Sequence, residues 1–252
     1  RWGKRAGRDH VPSGVGHAFR FDGESVLVET MCHPESDTLG VLVESALIGR
    51  GQLAVELAFP YGSPAANASD WLSPAKHVTD LKGRVLSRRL DGTEYRVALE
   101  CPESEVRMVS EHVCRIAGRQ GASRLSLACR FSRGSTAGVT PTAVQVRAAS
   151  VEHWQKFWST GGAIDFSQCQ DSRAPELARR AVLSQYLTAI QCAGSLPPQE
   201  TGLTCNSWYG KFHLEMHWWH AAHFALWGRT PLLEVRYRRR GRERTVYAKY
   251  EQ

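Results

Sequence analysis

The chain has 252 residues, 42% hydrophobic and 23% charged, with a net charge of +7. Such a length and balance suit a soluble globular protein of one large or two ordinary domains. No run approaches the ~20 apolar residues of a membrane span. Residues 236–252 hold six Arg, one Lys and two Glu, so +5 of the charge lies in that terminal tract and the other 235 residues carry only +2. A nucleic-acid domain spreads its basic residues over a folded face, so neither a nucleic acid nor a membrane is expected as partner.

From residue 17 to about 150 the periodicity is that of strands. Alternating or apolar runs occur at 17–21, 25–30, 40–45, 53–59, 84–90, 94–99, 105–109, 124–129 and 143–148. Asp22-Gly23 and Asp91-Gly92 stand between runs as short hairpin signals. This pattern, with almost no helical period, predicts an antiparallel β-sandwich over 1–150. The seven cysteines form no CxxC pair and are odd in number, which fits neither a disulfide framework nor a zinc ribbon.

Near residue 150 the period changes. Trp154, Phe157 and Trp158 share one helical face. A second helix is expected from Pro175 to about Ala193, with Glu176 at its positive end and Gly194 as its stop. Its apolar residues surround the axis, so it is expected to be buried on nearly all sides. A third helix is expected from about Phe212 to Trp227, ended by Gly228. Its packing face is expected to carry Met216, Trp219, Phe224 and Trp227. The helical half thus offers too few helices to cover the second one.

Residues 206–220 hold five aromatics, three histidines, a lysine and a carboxylate. Aromatic faces stack on a pyranose, while Lys, His and carboxylate fix its hydroxyls. Trp208, Tyr209, Lys211, His213, Glu215 and Trp218 are the candidate substrate-binding residues, with Glu200 from the preceding polar loop. His213, His217 and His220 also fall on one helical face and could hold a metal. Histidines hydrogen-bonded within a helical core are a further alternative. The pattern His-x-Glu-x-His is not the zinc-protease signature, because Glu215 sits about 200° around the helix from His213.

The segment Gly202-Leu203-Thr204 followed by 209–216 resembles the Gly-Leu-Thr…Tyr-Arg-Gly-His-x-Phe-Trp-Asp-x-Glu segment of glycoside hydrolase family 65. Residues 211–219 also resemble the Asn-Ile-Asn-x-Gln-Met-Asn-Tyr-Trp segment of family 95. The resemblance implies a six-hairpin glycosidase architecture, a galactose-mutarotase-like β-sandwich before an (α/α)6 barrel. Glu215 then falls where family 65 carries the Asp that holds substrate hydroxyls. Lys211 and His213 fall where family 95 carries its two Asn. None of these positions is identical to either family, so the sugar and linkage stay open.

The expected layout is therefore a sandwich over 1–150, a linker helix and the first barrel helices over 151–234, and a basic tail over 235–252 outside the native fold. An (α/α)6 barrel needs roughly 190 residues, so the chain is expected to be a fragment. The expected function is that of an inverting glycoside hydrolase or phosphorylase acting on an oligosaccharide, with its general acid outside this chain and no cofactor. The alternatives are a non-catalytic carbohydrate-binding module and a His-rich metalloprotein. Residues 1–5 carry no leader-like apolar core and no initiator Met, so a bacterial cytoplasmic and a secreted location both stay open.

Overall fold

A computed structural model describes residues 8–11, 14–63, 65–66, 68–134, 138–192, 197–203, 208–233, 236–239 and 242–245. The chain is β first and α afterwards. Chain-contact clustering divides it into two units, residues 1–61 with 71–158, and residues 62–70 with 159–252.

In the first unit, β1 (Arg8–Val11), β2 (Gly14–Phe21), β3 (Glu24–Cys32) and β4 (Thr38–Glu44) run as an antiparallel meander. There follow β5 (Ala54–Ala58) and, after the two-residue strands β6 (Tyr61–Gly62) and β7 (Ser69–Asp70), whose segment 62–70 belongs to the second unit, β8 (His77–Lys82). Then come β9 (Val85–Leu90), β10 (Thr93–Glu100), β11 (Ser104–Ser110), β12 (Val113–Gly118) and β13 (Arg124–Ser132). The large sheet has eight strands in the order β1-β2-β3-β4-β13-β10-β9-β8, and a second sheet has the order β11-β12-β5.

Both expected Asp-Gly turns form, between β2 and β3 and between β9 and β10. Asp22 and Gly23 take φ of 50° and 81°, and Asp91 and Gly92 take 47° and 72°. A two-residue turn of this kind needs both central residues left-handed, which Asp tolerates and Gly accepts freely. The strands β8 and β12 had no counterpart among the expected runs. In β8 every second residue is polar and exposed (Val78 aside), so the apolar signal is thin.

One core cluster gathers side chains from both sheets. Val26, Val43, Leu86, Val97, Leu99, Leu125, Leu127 and Cys129 come from the eight-stranded sheet, and Cys114 and Ile116 from β12. Cys129 behaves as a small hydrophobe there. Burial, with Cys101 and Cys114 adding, pushes its thiol up to about 12. The six described cysteines carry free thiols, and Cys205 lies outside the described residues.

The run 143–148, expected as a strand, is the start of α1 (Ala143–Ser159). Its Thr142 hydroxyl accepts the Gln145 N–H at 3.1 Å, and Gln145 Oε1 accepts the Thr142 N–H at 2.8 Å. This reciprocal capping box favours the helix over the alternating pattern. Buried Ala143, Val146, Ser150 and Phe157 form one stripe. Val146 packs on Met31 and Ala128, on the opposite face of the large sheet from the main core. Gly40 permits this approach, because an added Cβ would meet Val146 Cβ at 3.1 Å. Arg147 donates to Glu29 Oε1 at 3.0 Å from α1 to β3.

Arg88 is the largest fully buried side chain, only 1% exposed. Among the described residues no carboxylate contacts its guanidinium. It donates to His77 Nδ1 at 2.6 Å, Thr79 Oγ1 at 2.6 Å, Pro60 O at 3.0 Å and Tyr95 Oη at 3.2 Å. The Phe59 ring lies 4.9 Å from it. The His77 ring stacks on His112 at 3.6 Å. His112 Nε2 faces Pro74 O at 2.9 Å, and its Nδ1 faces the Thr79 hydroxyl at 2.8 Å. Arginine can only donate, so His77 Nδ1 is an acceptor here.

The second unit holds α2 (Ala174–Cys192), α3 (Leu214–Leu226) and the short α4 (Thr230–Leu233), then β14 (Arg236–Arg239) paired with β15 (Arg242–Thr245). The basic tail thus contains a backbone hairpin. Residues 234–235, 240–241 and 246–252 of it lie outside the described set. Helix α2 is not buried all round. Ala174, Gln185 and Ala189 are buried, while Leu177, Val182 and Leu187 are exposed. Among the described residues no helix is long and apolar enough to cross a membrane.

Arg88→Ala should lower the unfolding free energy by about 3 kcal/mol, because it opens a cavity and strands four acceptors. Urea denaturation followed by circular dichroism reads this, and a loss below about 0.5 kcal/mol would show the network to be dispensable.

Candidate functional site: an exposed aromatic loop and helix face

The candidate residues all lie in the second unit, in loop 197–203, the turn Trp208–Gly210 and the first turns of α3. Two bonds pin the turn. The Lys211 carbonyl accepts the Glu200 N–H at 3.1 Å, and the Ala66 carbonyl accepts the Tyr209 N–H at 3.1 Å. Loop 197–203 is tied to α2 by the Leu203 N–H, which donates to Gln191 O at 2.7 Å. Gly202 makes this possible: its φ is 87°, and a Cβ there would meet Gln191 Oε1 at 2.6 Å.

The turn itself is strained. Trp208 and Tyr209 take φ of 50° and 64°. Bulky side chains rarely occupy the left-handed region, at a cost of order 1 kcal/mol or more each. The strain holds both rings outward. Trp208 is 49% and Tyr209 44% exposed, and the rings lie within 15° of parallel with centroids 6.0 Å apart. The Lys211 ammonium sits 5.5 Å above the Tyr209 ring.

Helix α3 sorts its residues by face. At about 100° per residue, Met216, His217, His220, Ala221, His223, Phe224 and Trp227 share one side. Ala221 and Phe224 are buried and the others half-buried. The opposite side presents Leu214, Glu215, Trp218, Trp219 and Leu226 to solvent. Trp219 was expected on the packing face, but it is 75% exposed, like Trp218 at 74%.

The candidate set therefore divides. Trp208, Tyr209 and Lys211 stand together on the turn, and Glu215 and Trp218 share the outward face of α3. Glu200 and His213 face each other apart from these, Oε2 to Nε2 at 3.5 Å, without a hydrogen bond between them. Among the described residues no three His, Cys, Asp or Glu come together in a way that could hold a metal ion.

Arg229 escaped the sequence reading. It is buried, and its guanidinium donates to Gln185 Oε1 of α2 at 2.6 Å and to Thr160 O at 3.0 Å. The signal for it was the Gly228-Arg229 stop of α3, where the chain must turn back. An open hollow of about 710 Å³ lies at the start of α2, lined by Phe166, Cys169, Arg173, Glu176, Leu177 and Arg180 among others. None of the candidate residues lines it.

No protein-family model matches this chain. A search of curated proteins found no match either.

Tyr209→Gly should raise stability by about 0.5–1 kcal/mol through relief of the left-handed strain, and should weaken any ligand that uses the ring. A thermal melt that falls instead would show the turn to be unstrained. Burial, with His220 and Arg229 adding, holds His217 and His223 below the ordinary imidazole range. The unfolded chain then binds protons that the folded chain does not, so stability should fall as pH drops through and below that range. Melts at about pH 7.5 and about pH 5.5, with His217→Gln/His223→Gln flattening the difference, check this.

Proposed function

We propose that this chain is part of the carbohydrate-active proteins' repertoire and that the surface of Trp208, Tyr209, Lys211, Glu215 and Trp218 binds an oligosaccharide. The observation that carries this reading is the outward display of the rings: a turn held in strained geometry presents two near-parallel aromatics to solvent beside a lysine. Strain that a neutral loop would shed is retained where a displayed surface needs it. Indole and phenol faces offer a dry platform for the C–H face of a pyranose, and Lys211 and Glu215 reach its hydroxyls.

The architecture supports the same reading. We take the two sheets sharing one core as a β-sandwich and α2 and α3 as helices of an (α/α)6 barrel, the order found in six-hairpin glycosidases. In an inverting enzyme of that type, one carboxylic acid protonates the glycosidic oxygen and a second carboxylate activates water across the ring, or phosphate takes the water's place. Glu200 faces His213 and Glu215 stands alone on α3, so these two bind and orient and are not assigned as that acid and base.

A binding role without catalysis is the second reading. The observation favouring it is that Trp218 and Trp219 lie on an open helix face, outside the hollow at α2. The chain should therefore bind oligosaccharide without turning it over.

Glycan-array screening followed by calorimetry tests the proposal. Trp208→Ala and Trp218→Ala should each weaken the best ligand about fivefold, and Glu215→Ala at least about tenfold. Leu226→Ala, on an exposed position at the far end of α3, should change nothing. Saccharide affinity unmoved by all three site variants would defeat the proposal, and measurable turnover would defeat the non-catalytic reading.

A further inference from the structure

We propose that the ligand of this surface is an acidic oligosaccharide, and that Lys211 is the counter-ion of its ring carboxylate. The proposal rests on the saccharide reading above and adds the charge of the sugar.

Lys211 is exposed, and its ammonium is held over the Tyr209 ring at 5.5 Å. Among the described residues no ion pair engages it, and Glu200 of the neighbouring loop faces His213 at 3.5 Å. The backbone around it is already ordered by the Glu200-to-Lys211 and Tyr209-to-Ala66 bonds. An ammonium leaning on an aromatic face has given up part of its hydration and part of its rotamer freedom. A carboxylate arriving there forms a charge-assisted hydrogen bond at reduced entropic cost. Neutral sugars leave that cation without an anion.

Trp208 supplies the stacking surface beside it, half exposed and nearly parallel to Tyr209. The ammonium covers one face of the phenol, so the pyranose rests mainly on the indole. Glu215 is an exposed charged group of α3. It stands outward in the first turn of α3, with no ion pair among the described residues. It accepts hydroxyl protons and repels carboxylate.

Trigalacturonate and its fully methyl-esterified form share their rings and linkages and differ in charge. Titrated into the full 252-residue chain, the acid should bind about tenfold tighter than the ester at low salt. The preference should shrink in about 0.5 M NaCl. Lys211→Gln should abolish this preference, whereas Lys211→Arg should keep it. Circular dichroism of each variant shows whether the fold is unchanged, and the salt series on the unmodified chain is an independent arm. Equal affinity for acid and ester, or a preference that survives Lys211→Gln, overturns the assignment. Binding of the ester or of neutral oligosaccharides alone also overturns it and leaves the saccharide reading standing. If no saccharide of either kind binds, both fall.

Discussion

Strand β13 is the constraint on which the first unit depends. It pairs with β4 on one side and β10 on the other, so it joins the N-terminal meander to the β8–β10 meander. Without it the eight-stranded sheet is two separate pieces. Its residues Leu125, Leu127 and Cys129 enter the main core, while Ala128 between them faces Met31 and Val146 of α1. A strand with apolar neighbours on both faces reads as a near-continuous hydrophobic run, as 125–129 does. Its partners on β4 lie about eighty residues earlier in the chain, so loop-closure entropy must be overcome before this pairing contributes.

The core is not wholly apolar. Arg88 sits at the β8–β9 side of the sheet, where core-facing positions are occupied by Thr79 and Tyr95 in place of aliphatics. A buried guanidinium is tolerated because neutral acceptors and aromatic faces surround it. Such a network is demanding: each member is satisfied only if the others hold their places, which sets the register of β8 against β9 and the position of the β11–β12 turn together. Arg229 does similar work in the second unit, where one buried side chain ties α2, the segment after α1 and the end of α3.

The second unit exposes what the first hides. In the first, one buried apolar cluster gathers side chains of both sheets and ion pairs such as Arg50–Glu24 and Arg115–Glu56 decorate the surface. In the second, rings point outward and imidazoles inward. A half-buried imidazole costs desolvation, which is why His217 and His223 resist protonation. The outward rings cost strain at Trp208 and Tyr209.

Much of the β half was legible in the residues. Asp-Gly pairs dictate left-handed turns, alternation marks strands, and strand-then-helix order follows from the change of period near residue 150. The segment 143–148 misled because Ala-Val-Gln-Val-Arg-Ala satisfies a period of two as well as the first turns of a helix, and the Thr142–Gln145 box that decides between them was overlooked. The aromatic wealth of 206–220 was visible, and so was its candidate chemistry. Which indole faces out was not. Residues 218 and 219 are adjacent, and only the packing of α3, which buries Ala221 and Phe224, determines its rotation. Nor could the chain alone show that Glu200 faces His213, that Lys211 leans on Tyr209, or that Arg88 lies buried among histidines. Local conformation follows from neighbours a few residues away, through sterics and short hydrogen bonds. Partnership between charges far apart in sequence exists only once the backbone has brought them within a few ångströms.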